Sequence, residues 1–71
     1  MLNSSLLKKL IREKKRTIKE LADILGLTYE TFRRKCAGQI SFYGDEVLAL
    51  MSELDITDPK EIDAIFFDEP E

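Results

Sequence analysis

Seventy-one residues with one cysteine and no histidine make a single small domain, and they exclude an internal disulfide, a histidine-based catalytic triad and the usual zinc spacings. A chain this short buries only about 60% of its unfolded surface, so its stability rests on efficient packing or on association. The net charge of −3 conceals two opposite poles: residues 1–40 hold ten Lys and Arg against four acids (+6), and residues 41–71 hold one Lys against ten acids (−9).

The first helix is expected to be capped by Ser4 or Ser5 and to run to about Lys15, with Leu6, Leu7, Leu10 and Ile11 on one apolar side. Arg12, Lys14, Lys15 and Arg16 crowd its end, where the helix dipole favours cations. Thr17 and Glu20 have the spacing of a capping box and open a second helix. Leu21, Ala22 and Leu25 recur at helical spacing, and Gly26 stands where the chain must leave. Thr28 is placed to cap the next helix at once. Gly26 and Leu27 are then the whole connection, a spacing that predicts a steeply crossed helix-turn-helix pair. Ala22 marks the close approach of the two helices, and Phe32 fills the angle between them.

On the second helix of this pair, Tyr29, Glu30, Arg33 and Arg34 fall on the outward side. A guanidinium fork can engage guanine edges or phosphates bidentately, and an exposed tyrosine can stack or hydrogen-bond. A charge run alone would read as an ordinary solvated face; its place on the second helix of such a motif favours readout of DNA. The N-terminus of the preceding helix, with Thr17 and Lys19, offers free N–H groups to a backbone phosphate. Cys36 ends the recognition helix and reads as a small buried hydrophobe, since no histidine is present to activate it. Gly38 stops the helix, and Gln39, Ser41 and Tyr43 in the following loop have donors for phosphates, while Phe42 anchors the loop to the core.

The fourth helix is expected over about Asp45 to Leu54, with Val47, Leu50, Met51 and Leu54 on one stripe. Asp45 and Glu46 in its first turn read as dipole and capping partners rather than as an acid–base pair, because no nucleophile or metal ligand accompanies them. Asp58-Pro59-Lys60-Glu61 is a strong helix start. Ile62, Ile65 and Phe66 follow as an apolar stripe with Phe67 beside it, suited either to the core or to a two-fold dimer contact. The domain is expected over residues 1–67, followed by a frayed acidic tail at 68–71.

These features resemble the phage Cro and repressor type of helix-turn-helix protein, the xenobiotic-response-element-like family, and especially small regulators of Gram-positive phages and prophages. The matching residues are Glu20-Leu21-Ala22, Leu25-Gly26-Leu27, Thr31-Phe32, Arg34-Lys35 and Gly38, then Phe42 and Glu46, over about residues 5–67. Lys35 stands where the wider family carries an apolar residue, leaving the packing there to Cys36. Tyr43 stands where a serine or threonine cap is common. The resemblance implies an all-α, compact five-helix lambda-repressor-like domain with its helix-turn-helix at helices 2 and 3. It also implies phosphate contacts from one or two of the cations at the end of helix 1, and a loop after helix 3 that lies along the DNA backbone. Ile18 replaces a glutamine that supports base contact in some relatives, so helix 2 is assigned a positioning role.

The residues and the resemblance together assign base contacts to Thr28, Tyr29, Glu30, Arg33 and Arg34. Backbone contacts fall to Thr17, Lys19, Gln39, Ser41 and Tyr43, and homodimer contacts to Ile62, Ile65, Phe66 and Phe67. The expected partner is double-stranded DNA, bound by a repressor or Cro-like regulator acting at an operator, as a homodimer on DNA. The alternative is a protein-interaction module, or an antitoxin, that uses the acidic segment Asp45 to Glu71 to bind a protein. An enzyme is the least expected class: no residue constellation suggests a small-molecule substrate, a metal or a cofactor. With no long apolar run and no signal-peptide pattern, the chain is expected to be cytoplasmic, without a membrane segment.

Overall fold

A computed structural model describes residues 1–67, within which the chain forms five helices and no strand. They are α1 (Ser4–Glu13), α2 (Ile18–Leu25), α3 (Tyr29–Cys36), α4 (Gly44–Glu53) and α5 (Pro59–Phe66). The acidic tail expected at residues 68–71 lies outside the described residues. No helix among the described residues is long and apolar enough to cross a membrane.

Local chemistry sets most helix ends. Thr17 and Glu20 form the capping box: the Thr17 hydroxyl accepts from the Glu20 N–H at 3.1 Å, and the Glu20 carboxylate accepts from the Thr17 N–H at 3.4 Å. Gly26 takes φ +71°, the left-handed conformation that glycine adopts without a Cβ penalty. Thr28 then caps α3 through the Thr31 N–H at 3.2 Å, and Asp58 caps α5 through the Lys60 N–H at 2.9 Å.

The first helix differs from expectation at both ends. Asn3, not Ser4 or Ser5, is its cap, accepting from the Leu6 N–H at 3.1 Å. Its own N–H donates to the Ile65 carbonyl at 2.7 Å, which ties the start of α1 to the end of α5. Asparagine is among the strongest capping residues, and this tertiary bond fixes it in place. At the other end α1 stops at Glu13, and Lys15 turns left-handed at φ +58°. The Arg16 N–H then reaches back to the Ile11 carbonyl at 3.0 Å, the closure that ends a helix in a Schellman turn. The same five-residue step recurs at Gly26, Gly38 and Asp55, whose following N–H groups bond to the Ala22, Arg34 and Met51 carbonyls.

One core joins all five helices. Leu7 and Ile11 of α1, Leu21 and Ala22 of α2, Phe32 and Cys36 of α3, Leu50 and Met51 of α4, and Ile65 and Phe66 of α5 are buried together, along with Leu54 and Ile56. Phe42 links the loop to this core, edge-on to Phe32 at 6.1 Å and to Phe66 at 5.6 Å between ring centroids. Packing α2 against both α3 and α4 leaves the opposite side of α3 facing outward.

Candidate nucleic-acid interface

The face that α3 presents to solvent begins with Tyr29 and continues through Glu30, Arg33 and Arg34. Tyr29 is half exposed, and the Arg33 and Arg34 side chains keep 45% and 52% of their accessibility, so both guanidinium groups stand outside the core. The helix offers them two of the three cations in its Arg33-Arg34-Lys35 run. Lys35 is the exception: its residue is only 3% exposed, and its ammonium lies 2.6 Å from the buried Glu46 carboxylate.

Glu30 organises the outward pair. Its carboxylate accepts from Arg33 and, at 3.0 Å, from the Arg34 Nε. Bonding to Arg33 first and Arg34 second holds the Glu30 carboxyl at about 2, against an ordinary 4.5. The Arg33 guanidinium is correspondingly pushed up by Glu30. Glu30 therefore stays ionised at neutral pH, and the face combines one anion with two cations in a defined arrangement.

The remaining residues expected to touch DNA fall around this helix. Thr28 is exposed, but its hydroxyl is engaged locally, capping Thr31 and donating to the Thr31 hydroxyl at 2.9 Å. Thr17 and Lys19 are exposed at the start of α2. Thr17 and Arg33 line one groove of about 340 Å³ with Lys8 and Arg12 at its rim and Ile11, Ile18 and Cys36 on its floor. Thr17, expected to meet the DNA backbone, and Arg33, expected to meet bases, therefore share a cationic concavity. Gln39, Ser41 and Tyr43 are exposed along the loop that leaves α3. Ser41 lines a different, largely apolar groove of about 540 Å³ with Ile40, Val47 and Phe67.

Among the cations at the end of α1, Arg16 is committed to the fold. It donates to the Glu20 carboxylate at 2.8 Å, and to the Glu53 carbonyl and carboxylate at 2.8 and 2.9 Å, joining the first interhelical corner to the end of α4. Arg12, Lys14 and Lys15 are exposed and make no ion pair among the described residues. The charge poles of the sequence thus meet inside the fold: the two pairs that bridge distant segments, Arg16–Glu53 and Lys35–Glu46, each join a cation of the first forty residues to an acid of the rest.

The residues assigned to a dimer divide by burial. Ile65 and Phe66 are spent on the core and Ile62 is half-buried, while Phe67 is 62% exposed. Cys36 is 1% exposed and burial pushes its thiol up to about 12, so it is an unreactive core residue. No cluster of potential metal ligands occurs among the described residues.

Three functional features escaped the sequence reading. The Glu30 hold on two arginines follows from i,i+3 and i,i+4 spacing and was legible in principle. The commitment of Arg16 had no local signal, because its partner is 37 residues away. At Lys35 the expectation that packing passes to Cys36 alone is corrected: Lys35 is buried beside it, as the apolar residue expected at that position would be, because Glu46, 11 residues on, meets its charge.

A search among curated proteins finds no match to the chain. A family model of the Cro/C1-type HTH DNA-binding domain matches residues 6–66, which span all of α2 to α5 and most of α1. This protein belongs to the Cro/C1-type helix-turn-helix DNA-binding family.

Proposed function

We propose that this protein is a sequence-specific DNA-binding transcriptional regulator, a phage or prophage repressor or Cro-like protein that occupies an operator and blocks polymerase. The observation that carries this reading is the outward arginine pair, Arg33 and Arg34, on the second helix of the capped α2–α3 motif. In this reading α3 enters the major groove. Tyr29, Glu30, Arg33 and Arg34 read base edges with Thr28 at the helix start, and Thr17, Lys19, Gln39, Ser41 and Tyr43 position the backbone. The acidic second half faces away from the duplex and restrains non-specific attachment.

The operator is bound by a homodimer. A single domain of this size offers a small interface, and two copies double both the phosphate contacts and the sequence read. Exposed Phe67, directly after α5, and half-buried Ile62 are the members of the apolar stripe left for such a contact, since Ile65 and Phe66 serve the core. Selection of bound duplexes from a random pool tests the proposal. The expected product is a palindromic motif with half-sites about one helical turn, 10–10.5 base pairs, apart. A pool that shows no enrichment after repeated rounds would contradict sequence-specific binding, and an enriched motif without two-fold symmetry would contradict the dimer.

A further inference from the structure

Lys35 continues the cationic run of α3, yet it points into the protein, where Glu46, at the first turn of α4, meets it. A single oxygen, Glu46 Oε1, accepts from the Lys35 ammonium at 2.6 Å and from the Tyr43 N–H at 2.9 Å. The Lys35 Nζ also lies 4.5 Å from the centre of the Tyr43 ring, within the range of a cation–π contact. Tyr43 is itself 70% exposed, so its ring covers the buried ammonium on one side and faces solvent on the other. Groups from the end of α3, the connecting loop and the start of α4 therefore meet in one cluster.

Burying such a pair removes two ions from water, and well-packed apolar residues of similar volume commonly stabilise a fold as well or better. An ion pair with a shared acceptor contributes direction instead: the carboxylate fixes the Tyr43 backbone and the ammonium fixes its ring. Because α3 carries the base-reading face and Tyr43 lies on the loop beside it, this arrangement sets the distance between the two.

We infer that Lys35 and Glu46 are positioning residues that hold Tyr43 as a preformed backbone-phosphate donor in register with the recognition helix. The inference rests on the DNA-binding reading proposed above. It assigns Lys35 no contact with DNA, in contrast to its neighbours Arg33 and Arg34.

The test is a mutant cycle on a duplex selected by the wild-type protein, with salt-dependence measured throughout. Tyr43→Leu is expected to weaken binding by about tenfold in the wild-type background, the order of one hydrogen bond to a charged group. In the Lys35→Met/Glu46→Leu background, where the ring and N–H have lost their anchors, the same substitution is expected to change nothing further. That double variant should keep the wild-type salt slope, because no phosphate-neutralising cation has been removed; a slope lower by about 0.9 would place Lys35 on a phosphate and overturn the inference. A tenfold loss from Tyr43→Leu in both backgrounds overturns it as well, as does no loss in the wild type.

Hydrogen exchange on the wild-type protein provides a readout independent of DNA and of variants that fold poorly. After correction for intrinsic rates, the Tyr43 amide should exchange more slowly than that of exposed Ser41, which has no backbone partner among the described residues. Equal rates refute the clamp whether or not the protein binds DNA. A wild-type chain that selects no duplex, with Tyr43 protected, instead removes the DNA reading while the clamp geometry stands.

Discussion

Glu30 and Arg34 are joined at 3.0 Å along the outer edge of α3, and the same carboxylate holds Arg33, so the two arginines proposed to read bases are already restrained before any duplex arrives. An anion between these two cations has two consequences. It narrows the rotamers the guanidinium groups must lose on binding, and it opposes indiscriminate phosphate contact by the same face. Glu30→Gln is therefore expected to raise affinity for random-sequence duplex and to steepen its salt-dependence, while lowering the ratio of specific to non-specific binding. Parallel titrations of selected and scrambled duplexes measure this ratio. An unchanged ratio would show that Glu30 has no part in discrimination.

The helix ends give a prediction about stability. Lys15 sits at φ +58° where an L-residue with a Cβ is strained by about 1–2 kcal/mol, and glycine there would relieve the strain at an entropic cost of roughly 0.5–1 kcal/mol. Lys15→Gly should stabilise the domain by about 0.5–1 kcal/mol in urea unfolding. The reverse substitution, Gly26→Ala at φ +71°, should cost about 0.5–1 kcal/mol, the same strain less the same entropic gain, because an added Cβ meets no atom within 4 Å. Equal unfolding midpoints for Gly26→Ala and wild type would mean that the turn takes another conformation in solution.

Three carboxyl groups titrate below their ordinary value of 4.5. Bonding to Arg16 lowers Glu20, and bonding to Arg33 and Arg34 brings Glu30 to about 2. For Glu46, burial works upward but is outweighed by the Lys35 ammonium and the Tyr43 N–H, and the net direction is down. A carboxyl depressed in the folded state contributes stability that is complete above its unfolded value and is lost as pH falls through the folded one. With no histidine in the chain, no imidazole adds a transition near neutrality. Urea midpoints are thus expected to be level from about pH 6 to 8 and to decline from about 4.5 toward 2. A decline between pH 8 and 6 would contradict this assignment of the titrating groups.

What the sequence made legible follows the range of the interaction. Thr17 with Glu20, Gly26, Thr28, Gly38 and the Asp58-Pro59 start are each decided within a few residues, and the helices they bound stand within a residue or two of expectation at α2 to α5. The outward side of α3 was legible for the same reason, since Phe32 at 0% exposure fixes the helix rotation. The start of α1 moved because Asn3 gains a bond to Ile65 from the far end of the chain. Its end moved because Lys15 takes a conformation that composition assigns to glycine. Lys35 stands as a departure from an apolar position, and its burial is not legible locally because its partner, Glu46, reaches it only after the loop has turned. In the same way, the α5 stripe at Ile65 and Phe66 carries no mark that says whether the core or a second subunit covers it.

The outward arginines of α3 are proposed to read base identity while nearby cations meet phosphates. A salt-controlled titration of Arg33→Ala and Lys19→Ala on selected and scrambled duplexes tests this most directly. Arg33→Ala is expected to lose about tenfold to a hundredfold on the selected duplex and little on the scrambled one. Lys19→Ala is expected to weaken both alike and to flatten the salt slope by about 0.9. Equal losses on both duplexes from Arg33→Ala, or no loss at all, would contradict base readout by this helix.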